Sequence, residues 1–121
     1  MPYQYVRDPL TAEESDRLSN ACETPTERLV AWTLLDTGLR VSELCALTST
    51  NILWQQRQLR IKAKGGPRGQ KTKVRVVPMS NRVRALLEHY FALEKTFPVK
   101  TRRAQDIVKA VANRAGITGF R

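Results

Sequence analysis

Residues 59–76 read LRIKAKGGPRGQKTKVRV, and this stretch decides the fold class of the chain. Apolar and basic residues alternate with a period of two on both sides of a glycine-rich loop, residues 65–70. Such alternation is typical of strands with one buried face, and a short glycine-rich connection joins antiparallel strands. We therefore predict a β-hairpin whose apolar face carries Leu59, Ile61, Ala63, Thr72, Val74 and Val76.

The opposite face of the predicted hairpin is basic and has no acid. Because a two-stranded ribbon can follow phosphates and enter a groove, this face predicts contact with nucleic acid. Edge strands also use lysine to avoid aggregation, but they rarely need so many bases for that purpose. The expected contacts are Arg60, Lys62, Lys64, Lys71, Lys73 and Arg75, with Arg68 in the loop.

Three helical patterns precede the hairpin. Thr11-Ala-Glu-Glu14 has the form of a capping box and predicts a first helix that runs to about Cys22. Thr24-Pro25 begins a second helix, which Gly38 ends and which is apolar over most of its surface, so we expect it to be central and buried. A short third helix is expected over residues 41–47.

Two further helices are predicted after the hairpin. Residues 52–54 are expected to add a third short strand to the sheet. Ser80 can cap the fourth helix, and Thr101 can cap the fifth, which Gly116 ends. We therefore predict an α+β fold in one domain, residues 1–121, that is mainly helical around a small antiparallel sheet. The apolar stripes of these helices are Val83, Leu86, Leu87, Tyr90 and Phe91, then Ala104, Ile107, Val108, Val111, Ala112 and Ala115.

The charge of the chain is unevenly distributed. The net charge is +10 over 121 residues, yet residues 1–43 hold eight acids and four bases. Residues 44–87 hold ten bases and no acid, and residues 88–121 hold seven bases and three acids. A one-sided block of this kind repels itself unless a polyanion lies against it, which favours a nucleic-acid partner over a merely solvated basic face.

Other classes of protein are disfavoured by the composition. The apolar content of 41% argues against disorder, and no apolar run is long enough to cross a bilayer. The opening residues MPYQY do not resemble a signal peptide, so we expect a cytoplasmic protein. Cys22 and Cys45 lack partners at metal-binding spacing, and we expect buried free thiols and no metal site.

A candidate anion-binding residue lies in residues 37–44, which read TGLRVSEL. Arg40 follows a glycine turn at the start of a helix, so its side chain is aimed away from the core with little freedom. Its planar fork can donate two parallel hydrogen bonds to phosphate oxygens. Glu43 suits the positive end of the helix, and we expect it to support Arg40 by bracing the guanidinium.

The segment TGLRVSEL, followed by Asn51-Ile52, resembles the first-arginine motif of the tyrosine recombinases of the phage-integrase type. Residues 59–65 (LRIKAKG) and 73–78 (KVRVVP) are similar to that family's lysine hairpin and its returning strand. Three motifs in order at fitting distances are a specific match, and it covers nearly the whole chain.

The resemblance implies that Arg40 is the first active-site arginine and Lys64 the general acid on the hairpin. Because the hairpin loop is longer than the family's common form, Lys71 is an alternative to Lys64. The family cuts and rejoins double-stranded DNA through a covalent 3′-phosphotyrosine, without metal or cofactor. The resemblance also implies that the complete protein oligomerises on DNA, while we expect this chain to be a monomer.

The chain departs from the family pattern in its second half. The family's His-x-x-Arg box and nucleophilic tyrosine lie beyond the equivalent of Gly116, where this chain has only residues 117–121. His89 is not that box, because Ala92 stands at the third place after it. We therefore expect a partial catalytic domain that binds DNA but is inactive alone. A small nucleic-acid-binding regulator, or an RNA-binding accessory protein, is the alternative.

Overall fold

The computed structural model describes residues 11–63 and 73–117. The predicted mainly helical α+β fold, with five helices and a small antiparallel sheet, is confirmed. Within the described segments, no helix is long and apolar enough to span a membrane. The elements are α1 (Ala12–Asn20), α2 (Pro25–Thr37), α3 (Val41–Cys45), a 3₁₀ turn (Ser49–Asn51), β1 (Ile52–Leu53), β2 (Gln58–Ala63), β3 (Lys73–Pro78), α4 (Asn81–Phe91) and α5 (Thr101–Arg114).

The helix starts follow local capping chemistry. Thr11 and Glu14 form the predicted capping box of α1, and the hydroxyls of Thr24 and Ser80 accept N–H bonds at the starts of α2 and α4. The prediction that Thr101 caps α5 is wrong. The cap is Lys100, which makes no side-chain bond there, and the Thr101 hydroxyl bonds the thiol of Cys45 instead.

Helix α2 is the centre of the packing, as predicted. It contacts the other four helices, and Val30 and Thr33 in its middle are fully buried. The predicted apolar stripe of α5 is buried against it from Ala104 to Ala112. Two helices end earlier than expected, α1 at Asn20 and α3 at Cys45, and the two cysteines are free but only half-buried.

The sheet has the strand order β1-β2-β3, and the predicted third strand is confirmed as the two-residue β1. In the hairpin, Leu59 lies opposite Val77, Ile61 opposite Arg75, Arg60 opposite Val76, and Lys62 opposite Val74. Residues directly opposite each other in an antiparallel pair share one face of the sheet. Arg75 therefore shares a face with Ile61, and Val74 and Val76 share the other face with Lys62 and Arg60.

The prediction of one apolar face and one wholly basic face is therefore wrong. Leu59, Ile61 and Val77 are buried, whereas Val74 and Val76 are 46% and 48% exposed. Val77 is the residue of β3 that packs into the core, and alternation then turns Val74 and Val76 outward. The basic side chains of the two strands consequently lie on opposite faces of the hairpin.

Candidate nucleic-acid interface around Arg40

The turn between α2 and α3 holds Arg40 at the molecular surface. Gly38 ends α2 in the left-handed conformation, with φ 70° and ψ 17°, and donates its N–H to the carbonyl of Leu34. Leu39 is buried next to it, and Leu44 is fully buried one turn into α3. These two anchors leave Arg40, which has extended backbone at the start of α3, exposed to solvent.

Glu43 joins the start of α3 to strand β3. One carboxylate oxygen, Oε1, accepts the backbone N–H of Arg40 at 2.9 Å. The guanidinium of Arg75 donates from Nη1 to Oε2 at 2.8 Å and from Nη2 to Oε1 at 2.9 Å. The expectation that Glu43 braces the Arg40 guanidinium is therefore wrong. Glu43 binds Arg40 through its main chain, and the guanidinium that it braces belongs to Arg75.

The charge of Glu43 is stabilised by these bonds. Burial alone would raise the pKa of its carboxyl, since the side chain is only 9% exposed. The hydrogen bonds from the Arg40 N–H and the Arg75 guanidinium outweigh burial and hold the pKa below its usual value. The carboxylate therefore stays ionised, and Arg75 compensates its charge.

Arg40 itself is open to an anion. Among the described residues, none accepts a hydrogen bond from its guanidinium. Arg40 lines a groove of about 500 Å³ between α2, α3 and α5, and Lys109 of α5 lines the same groove. The described lining includes Ser42, Thr101 and Gln105 but no acid. The rest of the lining is apolar, with Leu34, Leu39, Val41 and Val108, so the groove is mainly apolar and the two cations are what suits an anionic ligand.

Lys109 is a candidate that sequence reasoning missed. In the sequence, α5 is recognisable by its buried apolar stripe, which does not include Lys109. The positions Thr101, Gln105 and Lys109 are spaced four residues apart, which places them on one face of the helix. That spacing was available in the sequence, but nothing local to α5 shows that this face lies beside Arg40.

The other predicted contacts are only partly described. Arg60 and Lys62 are exposed, and with Glu43 and Asn51 they line a smaller cavity of about 180 Å³. Lys73 is paired in β3, but its side chain lies outside the described part of the structure. Lys64, Arg68 and Lys71 also lie outside the described residues, so the choice between Lys64 and Lys71 as general acid stays a prediction.

The fold of this chain is that of the tyrosine recombinases and integrases. The structure superposes on XerA recombinase with a TM-score of 0.76 at 21% identity, over 99% of this chain and 47% of that one. The integrase of mycobacterium phage Brujita matches with a TM-score of 0.75 at 19% identity, over 98% of this chain and 42% of that one.

The sequence places the chain more narrowly. Residues 9–121 match the model of the phage integrase family, and the chain belongs to that family. It is 31% identical over 113 residues to tyrosine recombinase XerC of Bifidobacterium longum strain DJO10A, and equally so to XerC of B. longum subsp. infantis. The match covers 93% of this chain and 30% of each relative. The chain therefore spans less than a third of the length of these curated relatives.

The Tn1549 transposon integrase, whose structure was solved in complex with a circular-intermediate DNA, also matches. Its TM-score is 0.50 at 24% identity, over 76% of this chain and 33% of that one. The predicted resemblance to the tyrosine recombinases is thus confirmed both in sequence and in fold.

Proposed function

We propose that this chain supplies the phosphate-holding part of a DNA-recombining site, in which Arg40 binds the phosphate to be cut. One observation carries the proposal: the Arg40 guanidinium is exposed beside a groove that Lys109 also lines, while the charge of the neighbouring Glu43 is taken up by Arg75. Arg40 can therefore use both arms of its fork on an oxyanion.

The chemistry of strand cleavage explains why an arginine stands there. Attack of a tyrosine on a phosphodiester adds negative charge to the non-bridging oxygens, and a fixed guanidinium stabilises that charge without reorganising. The departing 5′-oxygen needs a proton, and the hairpin lysine, Lys64 or alternatively Lys71, is the proposed donor. No metal or cofactor is needed for these steps.

Helix α4 does not provide the tyrosine nucleophile. The hydroxyl of Tyr90 donates a hydrogen bond to the carbonyl of Thr96 at 2.8 Å, and its ring packs edge-on against Phe91. Tyr90 therefore serves the packing of α4.

We propose that the 121 residues, as a monomer and as one domain, bind double-stranded DNA without cutting it. Oligomerisation on DNA is proposed for the complete protein.

Further phosphate contacts are proposed for cations on either side of Arg40. Lys109 shares its groove, and Arg60 and Lys62 are exposed on the hairpin. The DNA complex of the related Tn1549 integrase supports a DNA ligand for this fold. For Lys73, Arg68 and Lys71, a contact is proposed from the sequence alone.

The test is the affinity of the purified chain for a duplex, measured for the wild type and for Arg40→Ala. Because the variant loses charge-assisted hydrogen bonds to phosphate, we expect affinity to fall about tenfold. Arg17→Ala is the matched control, since Arg17 is exposed on the acidic helix α1, and it should leave affinity unchanged. Equal loss in both variants contradicts a site at Arg40, and a preference for an RNA hairpin over duplex DNA favours an RNA-binding protein instead.

A further inference from the structure

The hairpin packs against the rest of the molecule through one of its two faces. At its inner end, Leu59 and Val77 are buried opposite each other. The next inward-facing pair along the ladder is Ile61 and Arg75, and Ile61 is 3% exposed. Farther out, Lys62 and Val74 are both exposed. Lys62 and Val74 lie on the outward face, so Arg75 belongs to the last inward-facing pair whose side chains the structure describes.

The Arg75 side chain is paired with Glu43 at this point, although it is 46% exposed. Its two terminal nitrogens bind different oxygens of Glu43, at 2.8 and 2.9 Å, so the pair has two parallel bonds. In the described part of the chain, no other side-chain hydrogen bond joins β3 to a helix. A bidentate pair of this kind fixes orientation as well as distance, which a single bond does not.

The same carboxylate also touches the phosphate-holding residue. Oε1 of Glu43 accepts both from Nη2 of Arg75 and from the backbone N–H of Arg40. One oxygen thus connects the ribbon to the residue whose guanidinium is free. A shift of Arg75 would move Glu43 and with it the start of α3.

Binding of a phosphate to the two N–H groups that hold Glu43 would disrupt this arrangement. Glu43 does not use the Nε–H or the outer N–H groups of Arg75, so this conflict concerns a phosphate that takes the place of the carboxylate. Release would leave a carboxylate that is only 9% exposed without its counter-charge, next to an incoming polyanion. An unpaired and largely buried charge is strongly unfavourable.

We infer that Arg75 is a positioning residue, which through Glu43 holds the hairpin in a fixed orientation beside Arg40 and makes no contact with the DNA backbone. This inference rests on the proposed function, because the site that Arg75 orders is the Arg40 phosphate site. It replaces the sequence-based expectation that Arg75 is one more phosphate contact of a basic face.

The number of counterions released on DNA binding distinguishes a positioning role of Arg75 from a phosphate contact. The slope of log affinity against log salt changes by about 0.9 for each phosphate contact that is lost. We expect the double variant Glu43→Gln/Arg75→Gln to keep the wild-type slope, because it removes a neutral pair. Arg60→Gln is the matched control, and its slope should become shallower by about 0.9 if it contacts phosphate. A double variant that loses as much slope as Arg60→Gln overturns the inference.

The conservative variant Arg75→Lys provides a second test, by NMR. Lysine keeps the charge but not the fork, so we expect the Arg40 amide signal to shift in the free protein and duplex affinity to fall, with the unfolding temperature little changed. If Arg75 only contacted a phosphate, lysine would replace it nearly as well. An unshifted Arg40 amide together with wild-type affinity therefore contradicts the inference.

The NMR signals of the Arg75 and Arg40 guanidinium groups show whether the positioning role of Arg75 or the phosphate site at Arg40 fails. On addition of duplex, the side-chain N–H signals of Arg75 should stay in place while those of Arg40 move. Movement of the Arg75 signals to a new bound position overturns the positioning role. If the Arg40 signals do not move and Arg40→Ala binds duplex normally, the proposed function fails. The chemical shift of the Arg40 amide in Arg75→Lys then still shows whether Arg75 positions the turn before α3.

Discussion

At the scale of single residues, Gly38 determines where Arg40 can point. Its φ of 70° lies in the left-handed region, and nothing lies within 4 Å of the position that a Cβ would occupy. The cost of Gly38→Ala is therefore conformational, and we expect the free energy of unfolding to fall by about 1 kcal/mol. Gly38→Asn should cost less, because asparagine tolerates this conformation. Chemical denaturation measures both, and an alanine variant as stable as the wild type would contradict the argument.

The sequence located Arg40 but not the partner of Glu43. The glycine turn, the helix start and the apolar anchors are local features, so the exposure of Arg40 could be predicted from eight consecutive residues. Glu43 and Arg75 are 32 residues apart, and their pairing depends on how β3 lies against α3. No local pattern contains that information. Choosing the nearest arginine in sequence consequently gave the wrong guanidinium.

At the scale of elements, one carboxylate joins α2 to α4. Asp36 accepts from Nε of Arg82 at 2.6 Å, from its Nη2 at 2.8 Å and from the hydroxyl of Ser80 at 2.6 Å. Arg82 also lies 4.8 Å from the centre of the Trp32 ring. The Arg82 bond, and after it the Ser80 bond, hold the pKa of Asp36 below its usual value, although burial opposes them.

This network predicts a pH dependence of stability. A carboxyl whose pKa is lower in the folded state stabilises above its unfolded pKa, about 3.9, and the effect is lost as pH falls through the folded pKa. We expect Asp36→Asn to cost about 1 kcal/mol at pH 7, a value reduced for the partly exposed Arg82. The gap to wild type should begin to narrow as pH falls below about 4 and should close once pH is below the lowered folded pKa of Asp36. Asp106→Asn, an exposed site on α5, is the control, and a gap that does not narrow at all below about pH 4 would show that packing is lost and not charge pairing.

The elements themselves were largely predictable, but the two faces of β3 were not. Caps gave the helix starts to within about one residue, and glycine stops gave the ends of α2 and α5 to within about two, because these devices act over one turn. The end of α4 was predicted at the Phe97-Pro98 break, but the helix ends at Phe91. In β3, valines stand at positions 74, 76 and 77, so the sequence is compatible with burying either Val74 and Val76 or Val77. The core selects the one that buries Val77 opposite Leu59. Only tertiary packing distinguishes the two, and the choice moves Arg75 to the face that packs on the core.

At the scale of the whole molecule, salt should act in opposite directions on the free and the DNA-bound protein. The net charge of +10 makes the free chain repel itself, so screening should leave its unfolding temperature unchanged or raise it. Bound DNA stabilises the fold by mass action, and this gain shrinks as affinity falls. With the four phosphate contacts proposed for Arg40, Lys109, Arg60 and Lys62, a rise from about 50 to 200 mM NaCl should weaken binding about 150-fold.

The unfolding temperatures of the free and the bound protein should therefore converge over this range of salt, because screening does not weaken the free fold while affinity is lost. Differential scanning calorimetry of the chain with and without duplex measures both at once. A peptide nucleic acid of the same base sequence is the control, since it lacks phosphates and should produce no shift at either salt concentration. A duplex-induced shift that is as large at 200 mM as at 50 mM would mean that uncharged contacts dominate, and the basic surface would then need another explanation.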